Sequence, residues 1–252
     1  MKTVLRILLL LLLSGSSSFA RPLEVLFIGN SYTYVNNLPE VFRAVAGGAG
    51  HEEPQVSMFA VGGQSLAGFC RDPKLLQKLE ARYDVVVLQE QSQIPAFAEF
   101  DPVARKQFLE ACQWMCRQLR SRHQEVRIVL FQTWARHRSS YKRQPGEPAM
   151  GDTPEQMQAR LTRWYAEAGR QCRAAVAPVG EAWLANYQRP HPLILHADDG
   201  SHPSFAGTYL AALVLARTIY GQDLATGYRG PLSTEDAQEL QQLAAGYRAA
   251  CR

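Results

Sequence analysis

Leu23-Glu24-Val25-Leu26-Phe27-Ile28-Gly29-Asn30-Ser31-Tyr32-Thr33 joins an apolar run to a small polar turn. The run reads as a first strand, and Gly29-Asn30-Ser31 places a serine at its C-terminal tip. A hydroxyl held there is reached by solvent and by substrate, as a nucleophile must be.

The pattern then repeats along the chain. Apolar runs at Val56 to Ala60, Asp84 to Leu88, Val126 to Phe131 and Ala174 to Val179 give four further strands. Between them, Pro39 to Ala46, Pro73 to Ala81, Pro102 to Arg122 and Pro154 to Arg173 read as helices. Asp72, Asp101 and Thr153 stand directly ahead of three of these prolines, as N-caps do. Two more helices, about Phe205 to Tyr220 and Thr234 to Ala250, close the chain. Strands alternating with helices predict an α/β domain in which helices wrap a five-stranded parallel sheet. Two connections, Gln89 to Asp101 and Gln132 to Thr153, read as long loops at the sheet end where such folds bind ligands. The second carries Arg136, His137, Arg138, Lys142 and Arg143, either a solvated basic loop or a contact for an acidic substrate.

A second motif lies far from the first. Asp199-Gly200-Ser201-His202-Pro203 sets an acid and a base three residues apart, so one turn can present both. With Ser31 they form a candidate Ser-His-Asp triad: His202 takes the Ser31 proton and returns it to the leaving alcohol, while Asp199 holds the imidazole tautomer. Asp198 is the competing acid, and the three-residue offset favours Asp199. Of the other histidines, His196 is nearest this loop. Val61-Gly62-Gly63-Gln64-Ser65 follows the second strand, and Gly63, ahead of Gly62, is the candidate backbone donor to an oxyanion. Trp134, just past the fourth strand, is a candidate aromatic platform for a sugar or acyl group, with core packing as the alternative.

These blocks together resemble the SGNH (GDSL-like) hydrolases over nearly the whole chain after residue 20. The resemblance implies a three-layer α/β/α sandwich of flavodoxin-like topology, no metal or other cofactor, and ester hydrolysis through an acyl-enzyme. It implies oxyanion donors at Ser31, at Gly63 and at the third block. Two positions depart from the family pattern. Asn30 stands where the usual motif has an aspartate, and the third block reads Gln89-Glu90-Gln91-Ser92 in place of Gly-x-Asn-Asp, which puts Gln91 where the asparagine donor is expected. Leu88-Gln89-Glu90-Gln91-Ser92, Thr133-Trp134 and Asp199-Gly200-Ser201-His202 are similar to a bacterial branch of that family whose function is poorly defined.

Composition bounds the rest. With 252 residues and 46% hydrophobic content, the chain suits one sizeable core. Residues 1–20 read as a secretory signal peptide, with basic Lys2 and Arg6, apolar Ile7 to Leu13, and small residues up to Ala20; residues 21–252 are then the hydrolase domain. The apolar run falls short of the roughly 20 residues that cross a bilayer, so no stable membrane insertion is expected. Loss of Lys2 and Arg6 lowers the net charge from +4 to +2, which gives no argument for nucleic acid. Export to an oxidising secreted or periplasmic location permits disulfides among Cys70, Cys112, Cys116, Cys172 and Cys251, whose pairing stays open. The functional expectation is an exported esterase removing small acyl groups, acetyl foremost, from a small-molecule or polysaccharide ester. The alternatives are a lipase or thioesterase of the same family, or a non-catalytic carbohydrate-binding module.

Overall fold

The computed structural model describes residues 21–141, 153–221 and 224–247. The signal-peptide reading of residues 1–20, Lys142 and Arg143 of the basic loop, and Cys251 lie outside the described residues. In chain order the elements are β1 (Glu24–Gly29), α1 (Ser31–Tyr34), α2 (Leu38–Gly48), β2 (Gln55–Ala60), α3 (Leu66–Phe69), α4 (Pro73–Lys78), β3 (Val85–Leu88), α5 (Gln93–Phe97) and α6 (Pro102–Arg122). There follow β4 (Arg127–Phe131), α7 (Pro154–Cys172), β5 (Ala175–Ala177), α8 (Val179–Tyr187), α9 (Phe205–Tyr220) and α10 (Thr234–Ala245).

The five strands form one parallel sheet in the order β2-β1-β3-β4-β5. That is the flavodoxin-like arrangement, whose ligand crevice opens beyond the strand C-termini where the order reverses, at β1 and β3. Side-chain alternation explains why β1, β3 and β4 read as largely apolar runs. Val25, Phe27, Val85, Val87, Val129 and Phe131 enter one core with α2, α8, α9 and α10. Leu26, Ile28, Val86, Leu88, Ile128 and Leu130 enter the other, under α3, α4, α6 and α7. Three layers result.

Local chemistry sets the helix starts. The side chains of Asp72, Asp101 and Thr153 accept from the N–H groups of Lys74, Val103 and Gln156, each ahead of a proline that opens its helix. Cys112 and Cys116 share a buried face of α6 and are separate thiols, as is Cys172 of α7, which lies in the same core.

Three expectations need correction. The run Ala174 to Val179 is only a three-residue strand, because Pro178 ends it and Val179 begins α8. The connection Gln89 to Asp101 is not all loop: the Gln91 side-chain carbonyl accepts from the Gln93 N–H at 2.7 Å and starts the short helix α5. Helix α4 stops at Lys78, earlier than Ala81. Among the described residues, no helix is long and apolar enough to cross a membrane.

Candidate active site

The serine turn is built on Gly29. A Cβ on that residue would come within 2.3 Å of Thr33 Oγ1 and 2.5 Å of Gln89 Oε1, so no side chain fits. The close approach lets Gln89 Oε1 accept from the Asn30 N–H at 2.8 Å and from the Thr33 hydroxyl at 3.0 Å. Buried Asn30 then caps α1, its Oδ1 accepting from the Tyr32 N–H at 3.2 Å while its amide donates to the Gln64 carbonyl at 3.0 Å. An aspartate has no such donor, so the asparagine ties the serine turn to the loop after β2. Ser31 opens α1 with its own N–H unpaired among the described residues.

Across the crevice, the loop before α9 presents His202 and Asp199. Ser31 Oγ lies 2.8 Å from His202 Nε2, and His202 Nδ1 hydrogen-bonds to Asp199 Oδ2. The other Asp199 oxygen accepts from the Ser201 and His202 N–H groups, both at 2.9 Å. Desolvation raises the Asp199 carboxyl, but the hydrogen bonds from the His202 ring and the two N–H groups outweigh it and hold the group down at about 2. Asp198 is exposed and has no hydrogen-bond partner among the described residues. Serine, base and acid therefore stand in one line.

The loop is fixed from below. His196 and Pro203 form an antiparallel bridge, and the Ala197 N–H donates to the His202 carbonyl at 2.8 Å. His196 is structural: its Nε2–H donates to the Ala135 carbonyl at 3.0 Å, and its Nδ1 accepts from the Tyr187 hydroxyl at 2.7 Å. Burial pushes its pKa down to about 4, which matches this neutral tautomer.

Trp134 is not an open platform. It is 1% exposed and stacks on Tyr32 at 4.4 Å and on Trp183 at 3.9 Å, leaving no ring face for a sugar or acyl group. Its indole N–H donates to the Ser201 carbonyl at 3.0 Å, and the Tyr32 hydroxyl meets Ser201 Oγ at 2.9 Å. The aromatic stack thus grips Ser201, directly ahead of His202 in the turn that begins at Asp199.

Gly63 adopts φ +67°, a left-handed conformation that favours glycine, and its N–H is unpaired among the described residues. Gly62 lies beside it, facing the Tyr34 hydroxyl. The Gln91 side chain lines the same crevice, but its amide donates to Gln93 Oε1 at 2.8 Å. One of its two N–H groups is therefore held within its own loop, and the other has no partner among the described residues. Beneath it, Glu90 Oε1 accepts from the Leu66 N–H at 3.0 Å and the Gln91 N–H at 2.7 Å, joining the loops after β2 and β3. Burial raises the Glu90 carboxyl to about 7, against those two bonds, which favour its charged form.

Together Asn30, Ser31, Gly62, Gly63, Gln91 and His202 line a crevice of about 370 Å³ at the C-terminal edge of the sheet. Among the described residues, no cluster of His, Cys, Asp and Glu is arranged to hold a metal ion.

Solved structures of this shape are known. The chain superposes on a DUF4886 family protein from Bacteroides uniformis with a TM-score of 0.71 at 15% identity, covering 89% of this chain and 94% of that one. A candidate GDSL-like lipase from Parabacteroides merdae matches with a TM-score of 0.59 at 12% identity, over 79% and 95% of the two chains. The fold is that of the GDSL-like hydrolases. The lipase Lip_vut3 from a goat rumen metagenome shares it, with a TM-score of 0.52 at 13% identity over 77% of this chain and 95% of that one. No protein-family model and no curated protein sequence matches the chain.

Within this GDSL-like frame, the sequence reading missed the braces. Gln89 and Glu90 are buried where β3 ends, and two polar residues directly continuing an apolar strand were the available signal. Helix α8 was missed as well, although Val179, Ala182 and Trp183 keep the i, i+3, i+4 spacing of one buried helical face.

Proposed function

We propose that this chain is an exported serine esterase of the SGNH type that removes short acyl groups, acetyl foremost, from carbohydrate. The observation that carries the reading is the line from Ser31 Oγ through the His202 ring to Asp199. In the reaction, Ser31 Oγ attacks the ester carbonyl as its proton passes to His202 Nε2. The carbonyl oxygen becomes an oxyanion beside the N–H groups of Ser31 and Gly63, with the free N–H of the Gln91 amide as third donor. Collapse breaks the ester C–O bond, His202 gives its proton to the departing alcohol, and water repeats the sequence on the acyl-serine. Asp199 stays ionised throughout, holding Nδ1–H and the charge that develops on the ring.

The crevice walls favour a short acyl group. Among the described residues its lining holds no Leu, Ile, Val, Met or Phe, so apart from the Tyr32 and Tyr34 rings it offers no aliphatic wall for a long acyl chain. One observation favours a second reading, a lipase or thioesterase. A neighbouring cavity of about 210 Å³, bounded by Trp134, Trp183, Leu184 and Tyr187, is apolar on one side and meets the crevice at Arg136. Hydrolysis rates over a series from acetyl to decanoyl esters separate the two. A steep fall beyond butyryl supports the deacetylase, and a rise towards decanoyl supports the lipase. No turnover of any ester, with sugar binding intact, would point instead to a binding module.

A further inference from the structure

Among the described residues, Arg136 is the one formally charged side chain, His202 aside, in the lining of the catalytic crevice. Its guanidinium lies over the Tyr32 ring, 5.9 Å from the centroid, and it borders the neighbouring cavity too. No carboxylate pairs with it among the described residues, whereas Arg138, two residues on, is bound to Glu155 at 2.7 Å. A half-buried guanidinium in a substrate crevice, with no counter-charge among the described residues, suits an anion, because its planar fork of donors fits a carboxylate.

The position of Arg136 selects which half of the substrate it meets. The Tyr32 ring that carries the guanidinium also packs T-shaped against the His202 ring, with centroids 5.7 Å apart. His202 is the acid that protonates the leaving oxygen, so the alcohol half of the ester lies beside His202 and Tyr32. Resting on the esterase reading above, we infer that Arg136 recognises a carboxylate on the alcohol half, so the preferred substrate is an acylated acidic sugar. One guanidinium balances a single negative charge, which favours a carboxylate over a phosphate monoester, whose charge nears −2 at neutral pH.

The test compares kcat/KM for two matched acetyl esters, one of a hexuronate and one of the corresponding neutral hexose. In the wild-type protein the acidic ester should be preferred about tenfold or more, and rising salt should narrow the gap. Arg136→Gln should bring the ratio near one, and Arg136→Lys should lie between, keeping the charge without the fork. Equal kcat/KM for the two esters in the wild type overturns the inference whether or not the variants fold, as does a ratio unmoved in a folded Arg136→Gln protein. Turnover of the neutral ester without that preference leaves the esterase reading standing and removes only the anion site. Turnover of neither ester overturns both.

Discussion

The Trp134 indole N–H donates to the Ser201 carbonyl at 3.0 Å, so a core residue stacked between Tyr32 and Trp183 holds the turn that carries Asp199 and His202. Trp134→Phe keeps an aromatic ring in the stack and removes only the donor and part of the ring area. The expected cost is about 1–2 kcal/mol of stability in urea unfolding, from a buried carbonyl left unpaired. A larger relative loss is expected in kcat, because His202 loses its support from below. A kcat unchanged in Trp134→Phe would show that the loop is positioned without the stack.

The neighbouring acids should differ sharply. Asp199→Asn should lower kcat by orders of magnitude, since only the acid bonded to His202 Nδ1 sets the ring tautomer. Asp198→Asn, altering an exposed side chain without a partner among the described residues, should be mild. A reversed ranking in steady-state kinetics would redraw the triad through Asp198.

Gln91 tests the departure from the family pattern. Gln91→Ala should cost about 3 kcal/mol of transition-state stabilisation, a fall of about a hundredfold in kcat with KM little changed. Gln91→Glu should be at least as damaging, because it sets a carboxylate against a developing negative charge. Gln93→Ala, which removes an acceptor of the Gln91 amide and no crevice donor, should cost far less. Full activity in both Gln91 variants would leave the oxyanion to the Ser31 and Gly63 N–H groups.

Glu90 predicts a pH dependence of stability. Burial raises its carboxyl from 4.5 to about 7 in the folded chain, which holds the proton more tightly than the unfolded chain does. The associated stability is complete below about pH 4.5 and is lost as pH rises through about 7, a fall of roughly 3 kcal/mol. His196, lowered to about 4, works in the opposite sense, its contribution being lost as pH falls. The difference between wild type and Glu90→Gln in urea unfolding, followed from pH 4.5 to 7.5, isolates the Glu90 share. Parallel curves for the two proteins would refute it.

The sheet was legible above all at β1, β3 and β4, which are buried on both faces and so read as apolar runs, whereas β2 and β5, at the two edges of the sheet, are only partly covered. Asp72, Asp101 and Thr153 gave their helix starts for a local reason, a side chain capping its own backbone. Ser31, Asp199 and His202 were legible as residues, since strand-end and turn chemistry are written in short motifs. What the sequence did not disclose depends on distant partners. Trp134 reads the same whether its faces are bare or covered, and Tyr32 and Trp183, which cover them, lie far off in the chain. The Gln91 amide could be aimed by counting from the strand, but its acceptor on Gln93 belongs to a single-turn helix too short to show a period. Glu90 passed as a polar loop residue, because its burial follows from how the loops after β2 and β3 close over it.

The role of Ser31 as nucleophile is read from the kcat of Ser31→Ala on an acetyl ester, with thermal unfolding measured alongside. The half-exposed hydroxyl contributes little to packing, so the unfolding midpoint should be nearly that of the wild type. Loss of the acyl-enzyme route should lower kcat by at least about a thousandfold. A folded Ser31→Ala protein that keeps more than about a tenth of wild-type kcat would contradict the account.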